Sequence, residues 1–540
     1  MDNKKRHVGT LGLYSLTILL VLLFALSAKA QEQKTPVAEK EEKITNDSSF
    51  SSDALNVGIN QFVRLVRERN DRIRYHRFDW EISEQGVIKN KAIFEPELVT
   101  GAGHESNYQR NTAEEATSRS SLDEFKERNY YYDTAVESKL ITGAKLSFGA
   151  KMKDLSNNLQ EFDSEESDYN EYKSFIGLNV VQPLLKNLGK DATMADTRVA
   201  EAESKIAYQR YRKEMLAVVE EAVAAYWDLF GQQEKFKIRE DSVRIGETIL
   251  ADNRIRVREG RMAETEILEA EASLALRKSL VSAARQDIAS AVNQVRGFLF
   301  ASATGRWEDI KVIEPLPITE EAPILAESLK RTFSLRPEYL AGKIKIALED
   351  IRLAYHENQN WPQLDMKMSY GLNGLADQID DSWDDAFSAD HESWSVGLEL
   401  RIPLGGGKRA ASELTAANLR KQQSLLELKA TEVALTNIVD TRIKNVFSSM
   451  DQLRQFQRIV DHNQRLLEVE LERLAEGRST SRQALEKEEA LIRVKEDALN
   501  RSIALQKAIV ALKKAEGSLL LHYGLTDEVE KVDSEEGDNS

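Results

Sequence analysis

Two stretches without proline constrain this chain more than anything else in it. Of its nine prolines, none falls from Leu184 to Glu314, a run of 131 residues, and none follows Pro403, a run of 137. Proline removes a helix hydrogen bond and clashes with the preceding turn, so half of the 540 residues are free to form very long helix. Between Lys408 and Glu476 there is no glycine either. That predicts one continuous helix over 408–475, roughly 100 Å long at about 1.5 Å per residue. Such proportions disfavour an ordinary globular enzyme.

Composition removes further classes. The formal charge of -16 argues against a general nucleic-acid binder, which needs basic patches to neutralise phosphate. With no cysteine there are no disulfides, thiolate zinc sites or cysteine nucleophiles. The N-terminus carries an address. Lys4, Lys5 and Arg6 precede an apolar run from Leu11 to Leu26, and Ala28-Lys29-Ala30 supplies small residues for a signal peptidase. Residues 1–30 read as a secretory signal cleaved before Gln31, leaving a mature charge of about -19. The alternative, an uncleaved anchor, meets a run shorter than the ~20 residues a span needs. Gln31 leaves no cysteine to carry lipid after cleavage. No later stretch is an apolar 18-mer, so a mature chain that enters a membrane must do so as a β-barrel.

The chain is written twice. Val396-Gly397-Leu398-Glu399-Leu400-Arg401-Ile402-Pro403 parallels Ile176-Gly177-Leu178-Asn179-Val180-Val181-Gln182-Pro183, and a glycine-bearing turn comes after each. Long runs then end at Glu259-Gly260-Arg261 and at Glu476-Gly477-Arg478, an offset of 217. Beyond these turns Ile267, Leu274, Val281, Ile288 and Val295 recur every seven residues, as do Ala484, Leu491, Ala498, Leu505 and Leu512 at the same offset. A sustained seven-residue period means helices packed in coiled-coil fashion. Each copy therefore reads as a helical arm, strands ending at a proline, a long helix, a glycine turn and a returning helix. The first copy is 54–305, with its arm near 54–91, strands about 92–182, long helix 190–257 and return helix 264–300. An irregular linker, 306–336, holds Pro315, Pro317 and Pro323. The second copy is 337–525, with an arm near 325–359 that begins in the linker, strands about 363–402, long helix 408–475 and return helix 481–520. Residues 31–53 and the acidic tail 526–540 read as disordered.

The strands alternate strictly. Ala144 to Met152, Leu364 to Leu372 and Val396 to Ile402 each put apolar residues on one face and polar residues on the other. A half-buried soluble sheet is the alternative. Strands of about nine residues, in an exported chain and separated by long acidic loops (161–168 and 377–392), fit transmembrane β-strands better. Four patterns are strong, near 143–153, 172–182, 363–373 and 393–402; two are weaker, near 97–108 and 134–141. Membrane barrels start at about eight strands, so several chains must share one.

On these residues the sequence resembles the TolC-type outer-membrane efflux channel family. The features that carry the resemblance are the duplicated plan, Gln182-Pro183-Leu184-Leu185 and Ile402-Pro403-Leu404 at the strand ends, and Ala225-Tyr226-Trp227-Asp228-Leu229 on the first long helix. The turn Val257-Arg258-Glu259-Gly260 with Glu266-Ile267-Leu268-Glu269-Ala270 after it adds to them. The resemblance covers roughly 54–525. It implies a mainly α fold with a β-barrel part: a homotrimer with four strands per chain in a twelve-stranded transmembrane barrel, continuous with a periplasmic α-helical coiled-coil barrel. It implies an exit duct of a tripartite efflux or type I secretion system in the cell outer membrane, partnered by a periplasmic adaptor and an inner-membrane pump. It also implies that Gly260 and Gly477 mark adaptor-docking turns and that Glu266, Glu269 and Glu486 map to the carboxylates of the periplasmic tip, the pore constriction. Gln483 stands where an acid is usual and Ser479 where some members carry a basic residue. Pro183 and Pro403 are strand-to-helix hinges.

Chemistry is otherwise sparse. The seven histidines show no ligand spacing, Gly405-Gly406-Gly407 lacks the Lys-Ser/Thr of a phosphate loop, and no Gly-x-Ser-x-Gly elbow occurs. No enzyme, cofactor or metal is expected. Plainer readings stand beside the family ones. Acidic residues in a first helical turn stabilise the macrodipole, the two glycines serve as helix C-caps, and Trp227 serves packing. A periplasmic coiled-coil structural or adaptor protein with a soluble sheet is the rival to the channel.

Overall fold

The computed structural model describes residues 55–159, 170–299, 310–312 and 322–525. The signal peptide, residues 31–53, the acidic loop 161–168, the acidic tail and parts of the 306–336 linker lie outside the described residues. The strands, in chain order, are β1 Leu55–Val57, β2 Glu97–Arg110, β3 Glu124–Lys139, β4 Lys145–Asn157, β5 Glu171–Pro183, β6 Ile310–Val312, β7 Gln363–Ala376 and β8 Glu392–Arg401. The helices are α1 Ile59–Arg69, α2 Asp71–Lys91, α3 Ala113–Ser118, α4 Gly189–Thr193, α5 Ala195–Arg258, α6 Thr265–Leu299, α7 Leu325–Leu335, α8 Pro337–Gln359, α9 Ile379–Phe387, α10 Lys408–Ala475, α11 Ser481–Glu516 and α12 Leu519–His522. The fold is mainly helical with a small antiparallel sheet. Among the described residues its contacts define two compact units, one within 87–199 and 350–419, the other within 55–86, 200–349 and 420–525.

The first unit is built on one sheet in the order β2-β3-β4-β5-β7-β8, every neighbouring pair antiparallel. The four strong alternating patterns lie in β4, β5, β7 and β8. The two weaker ones lie in β2 and β3, of 14 and 16 residues. Among the described residues this sheet therefore has six strands, two more than the four per chain that the resemblance implies for a barrel. The pattern of β2 is weak because Gly101 and Gly103 interrupt it and polar residues fill its C-terminal half. The acidic segment 377–392 is also not plain loop. It holds α9, which packs on the sheet, with Ser174 Oγ donating to the Ser382 carbonyl at 2.6 Å.

In the second unit the core forms on the middle of α5. Tyr211, Met215, Leu216, Val219, Ala222, Val223, Tyr226 and Leu229 recur at helical spacing and are buried against α1, α6 and α12. Trp227, 3% exposed, belongs to this core. Tyr226 stacks on Phe62 and donates its hydroxyl to the Val57 carbonyl at 3.0 Å. β1 pairs in parallel with β6, an element absent from the sequence reading of the linker.

Several helices stop where the sequence reading runs on, each for a local reason. The first arm opens with β1 and breaks at Asn70, whose Oδ1 accepts the amides of Arg72 and Ile73 at 3.1 and 3.3 Å and so starts α2 afresh. The second arm breaks at Arg336, before Pro337 takes the first position of α8, where its missing N–H costs nothing. The long helix expected from 190 is interrupted at Met194 between α4 and α5. The return helix expected to reach 520 ends at Glu516. Gly517 has φ 78°, and the amides of Gly517 and Ser518 close onto the carbonyls of Lys514 and Lys513. The 68 residues of α10 run unbroken.

Candidate functional site

The sheet is two-faced across its whole width. Antiparallel partners point to the same side, so the register traces rows through all six strands. One row runs Leu98, Val136, Phe148, Leu178, Tyr370, Trp394; the next runs Glu97, Glu137, Ser147, Asn179, Ser369, Ser395. The first row is wholly apolar and the second wholly polar. On β8 the apolar face is the most open: Trp394, Val396, Leu398 and Leu400 are 57% to 71% exposed. Where α9 covers the apolar face, the residues beneath are small. A side chain at Gly374 would meet the Ser382 carbonyl, and its partner is Ser174. On the polar face, aromatic rings lie over backbone glycines, Phe175 over Gly177 and Gly371, and Tyr131 over Gly103. Rings over glycines pin strand register.

The two hinge prolines are placed differently. Pro183 ends β5, is buried, and still pairs with Asp365. The turn after it is held by α8: Asn358 accepts the Asn187 amide at 2.7 Å, and Gln359 donates to Asn187 Oδ1 at 2.5 Å. Pro403 stands after β8 in an exposed turn with Gly406 and Gly407 at positive φ and Leu404 fully exposed.

The two glycine turns belong to the same unit and share one backbone. Gly260 has φ 71° and Gly477 φ 74°. In each, the amide after the glycine closes onto the carbonyl five residues back, Arg261 to Arg256 and Arg478 to Arg473, both at 2.8 Å. This is a left-handed helix ending that glycine adopts without strain. Side chains bring the turns together. Ser481 Oγ donates to Asn253 Oδ1 at 2.7 Å, Asn253 Nδ2 donates to the Glu266 carbonyl at 3.3 Å, and Arg256 donates to the Leu474 carbonyl at 2.8 Å. Of the mapped tip carboxylates, Glu269 and Glu486 are exposed and Glu266 is partly buried. Glu486 faces Arg482 at 3.7 Å. One carboxylate oxygen of Glu266 is sheltered with no hydrogen-bond partner among the described residues.

Sequence reasoning missed two charged clasps. Arg277 on α6 pairs with Glu488 on α11, their side chains 9% and 1% exposed, and Arg277 also donates to Ser242 Oγ and its carbonyl on α5. A signal existed: Arg277 shares a seven-residue spacing with Ala270, Ala284 and Ala291, all buried, so it is a lone charge in a small-residue stripe. The second clasp is Arg331 forked onto Glu516 at 3.0 and 2.8 Å. Burial pushes the Glu516 carboxyl up, but hydrogen bonds from Arg331, Ser328 and Ser518 outweigh it and hold the carboxyl below its usual range. Among the described residues no group of three or more His, Asp or Glu is arranged to hold a metal, and no helix is long and apolar enough to cross a membrane.

The fold combines a six-stranded antiparallel sheet with two helices of more than sixty residues, α5 and α10. The chain belongs to the outer membrane efflux protein family, whose model matches residues 143–299 and 343–518, more than half of the chain. The matched segments contain β4, β5, β7 and β8; β2 and β3 lie outside them. The fold is similar to the Campylobacter jejuni CmeC outer membrane channel, with 14% identity, 89% of each chain covered and a TM-score of 0.58. It is also similar to the outer membrane protein VceC of Vibrio cholerae, at 14% identity with 85% of this chain and 96% of that one covered, TM-score 0.56. The open state of the Neisseria gonorrhoeae MtrE outer membrane channel matches likewise, at 14% identity over 88% and 95%, TM-score 0.56. No curated protein matches the chain.

Proposed function

We propose that three copies of this chain form the exit duct of a tripartite efflux or type I secretion system. The duct is exported by its signal peptide, held in the outer membrane by a shared β-barrel, and extended by the long helices. It catalyses nothing and conducts passively what an inner-membrane pump and its periplasmic adaptor deliver. The observation that carries this reading is the sheet of a family member, in which one row across all six strands is apolar and the next is polar. One face suits lipid and the other a water-filled lumen. Pro183 and Pro403 are its strand-to-helix hinges. Gly260 and Gly477 form the adaptor-docking turns, and Glu266, Glu269 and Glu486 line the constriction, where three copies bring nine carboxylates around one axis and favour cations. Purification tests the whole. A detergent-dependent trimer that conducts across a planar bilayer is the expected result. A soluble monomer released by osmotic shock overturns it and favours the periplasmic coiled-coil alternative.

A further inference from the structure

We infer that each copy contributes six strands to the barrel wall, with β8 of one copy pairing against β2 of the next, so that a trimer closes on eighteen strands. The inference rests on the channel reading above and departs from the twelve strands that the resemblance implies.

Four observations carry it. First, the hairpin β2–β3 is not an appendage. β3 and β4 pair through an unbroken ladder of 13 residues, from Glu127↔Asn157 to Lys139↔Lys145. A four-strand contribution would need β4 as its edge, so the whole ladder would have to open. Second, both rows described above continue into the hairpin. The apolar row enters it as Val136 and Leu98 and the polar row as Glu137 and Glu97, in step with the strands that the family model matches. A hairpin lying in the lumen or over the outer face would have no reason to continue both rows. Third, its register is pinned by the device used elsewhere on the polar face, a ring over a glycine. Fourth, the only free edges of this sheet among the described residues are β2 and β8. Six is an even number, so β8 runs antiparallel to β2, and a rotation that brings the next copy alongside makes another antiparallel pair with the apolar face still outward. Outer-membrane barrels close in this alternating way, and an open edge with a large apolar face is otherwise a site of uncontrolled pairing.

The consequence is a wider exit. At equal strand tilt the diameter grows about linearly with strand number. Eighteen strands therefore enclose a barrel about half again as wide as twelve, with roughly twice the cross-section.

The chain lacks cysteine, so introduced thiols report alone. Ser395→Cys on β8 is combined in turn with Val99→Cys, Glu105→Cys and Asn107→Cys, which share its polar face on β2, and as a contrast with Ser147→Cys on β4. Each full-length variant is oxidised in detergent, and the unmodified trimer is imaged by electron cryomicroscopy. The expected result is a covalent trimer from a β8–β2 pair, none from β8–β4, and eighteen strands in cross-section. A conducting trimer with twelve strands, or crosslinked through β8–β4, overturns this inference and leaves the channel reading standing. A soluble monomer that does not conduct overturns both.

Discussion

The turns at Gly260 and Gly477 have the same backbone and different fastenings. Their closing hydrogen bonds match residue for residue. The side chains around them do not match. At the second turn Thr480 and Gln483 form a reciprocal cap on α11, each side chain satisfying the other's backbone amide. At the first, Ala263 stands 217 residues earlier in the place of Thr480 and has no oxygen to offer, while Glu266 stands in the place of Gln483. Glu266 is thus a capping-box acid without its partner. Just before the glycines, Asn253 and Glu470 are both buried polar residues at corresponding positions. Asn253 reaches across to the other turn through Ser481, whereas Glu470 is satisfied within its own turn by Ser479. Further along the return helices, Glu271 is an exposed partner of Arg254 at 2.7 Å, while the corresponding Glu488 is buried with Arg277. A glycine sets the turn. The side chains that hold it are free to diverge, and they have left the first turn the less secured.

That asymmetry can be broken at four places. The largest effect is expected from Glu488→Ala, which strands a buried arginine and should cost about 3–5 kcal/mol. Glu271→Ala removes an exposed pair and should cost under about 1 kcal/mol. Thermal melts of the two variants in detergent decide it, and equal shifts would dismiss the buried clasp. Gly260→Ala and Gly477→Ala each force an alanine to positive φ and should cost about 1 kcal/mol, alike at both turns; unlike melts would mean that the backbones are not equivalent. Thr480→Ala should lose about 1 kcal/mol with its cap, whereas Ala263→Thr should gain about 0.5 kcal/mol by completing the box with Glu266. Destabilisation by Ala263→Thr would contradict the cap account. The smallest effect is functional. Glu266→Gln with Glu269→Gln should weaken cation selectivity in reconstituted channels without shifting the melt, and unchanged reversal potentials would remove these residues from the pore lining.

Much of this was legible in the sequence, and where it was not the cause is physical. Residues 408–475 announced α10 because nothing in them breaks a helix. The glycine turns announced themselves because a left-handed ending has few alternatives to glycine. Strand β8 was plain from alternation, but β2 was only weakly so, since its two glycines and its polar residues from His104 onward dilute the apolar signal. The break at Asn70 depends on a side chain that competes with the backbone, a choice that periodicity does not encode. The Arg277–Glu488 clasp joins residues distant in sequence, so only its odd position in an alanine stripe could have hinted at it. For the tip carboxylates, spacing placed Glu266 at the start of a helix, but its missing cap partner emerges only from setting the two turns side by side.

The even sheet with two open edges also bears on how such a chain survives its journey. A single copy is an unfinished ribbon whose outermost strand displays Trp394, Val396, Leu398 and Leu400 to whatever it meets. Glu392, Glu399 and Arg401 are interleaved with them on the same strand, and charges on an edge are a known guard against mispairing. On the proposed channel reading, a newly exported copy is a hazard until its siblings arrive, and the pace of assembly becomes as much a condition of its success as the stability of what is assembled.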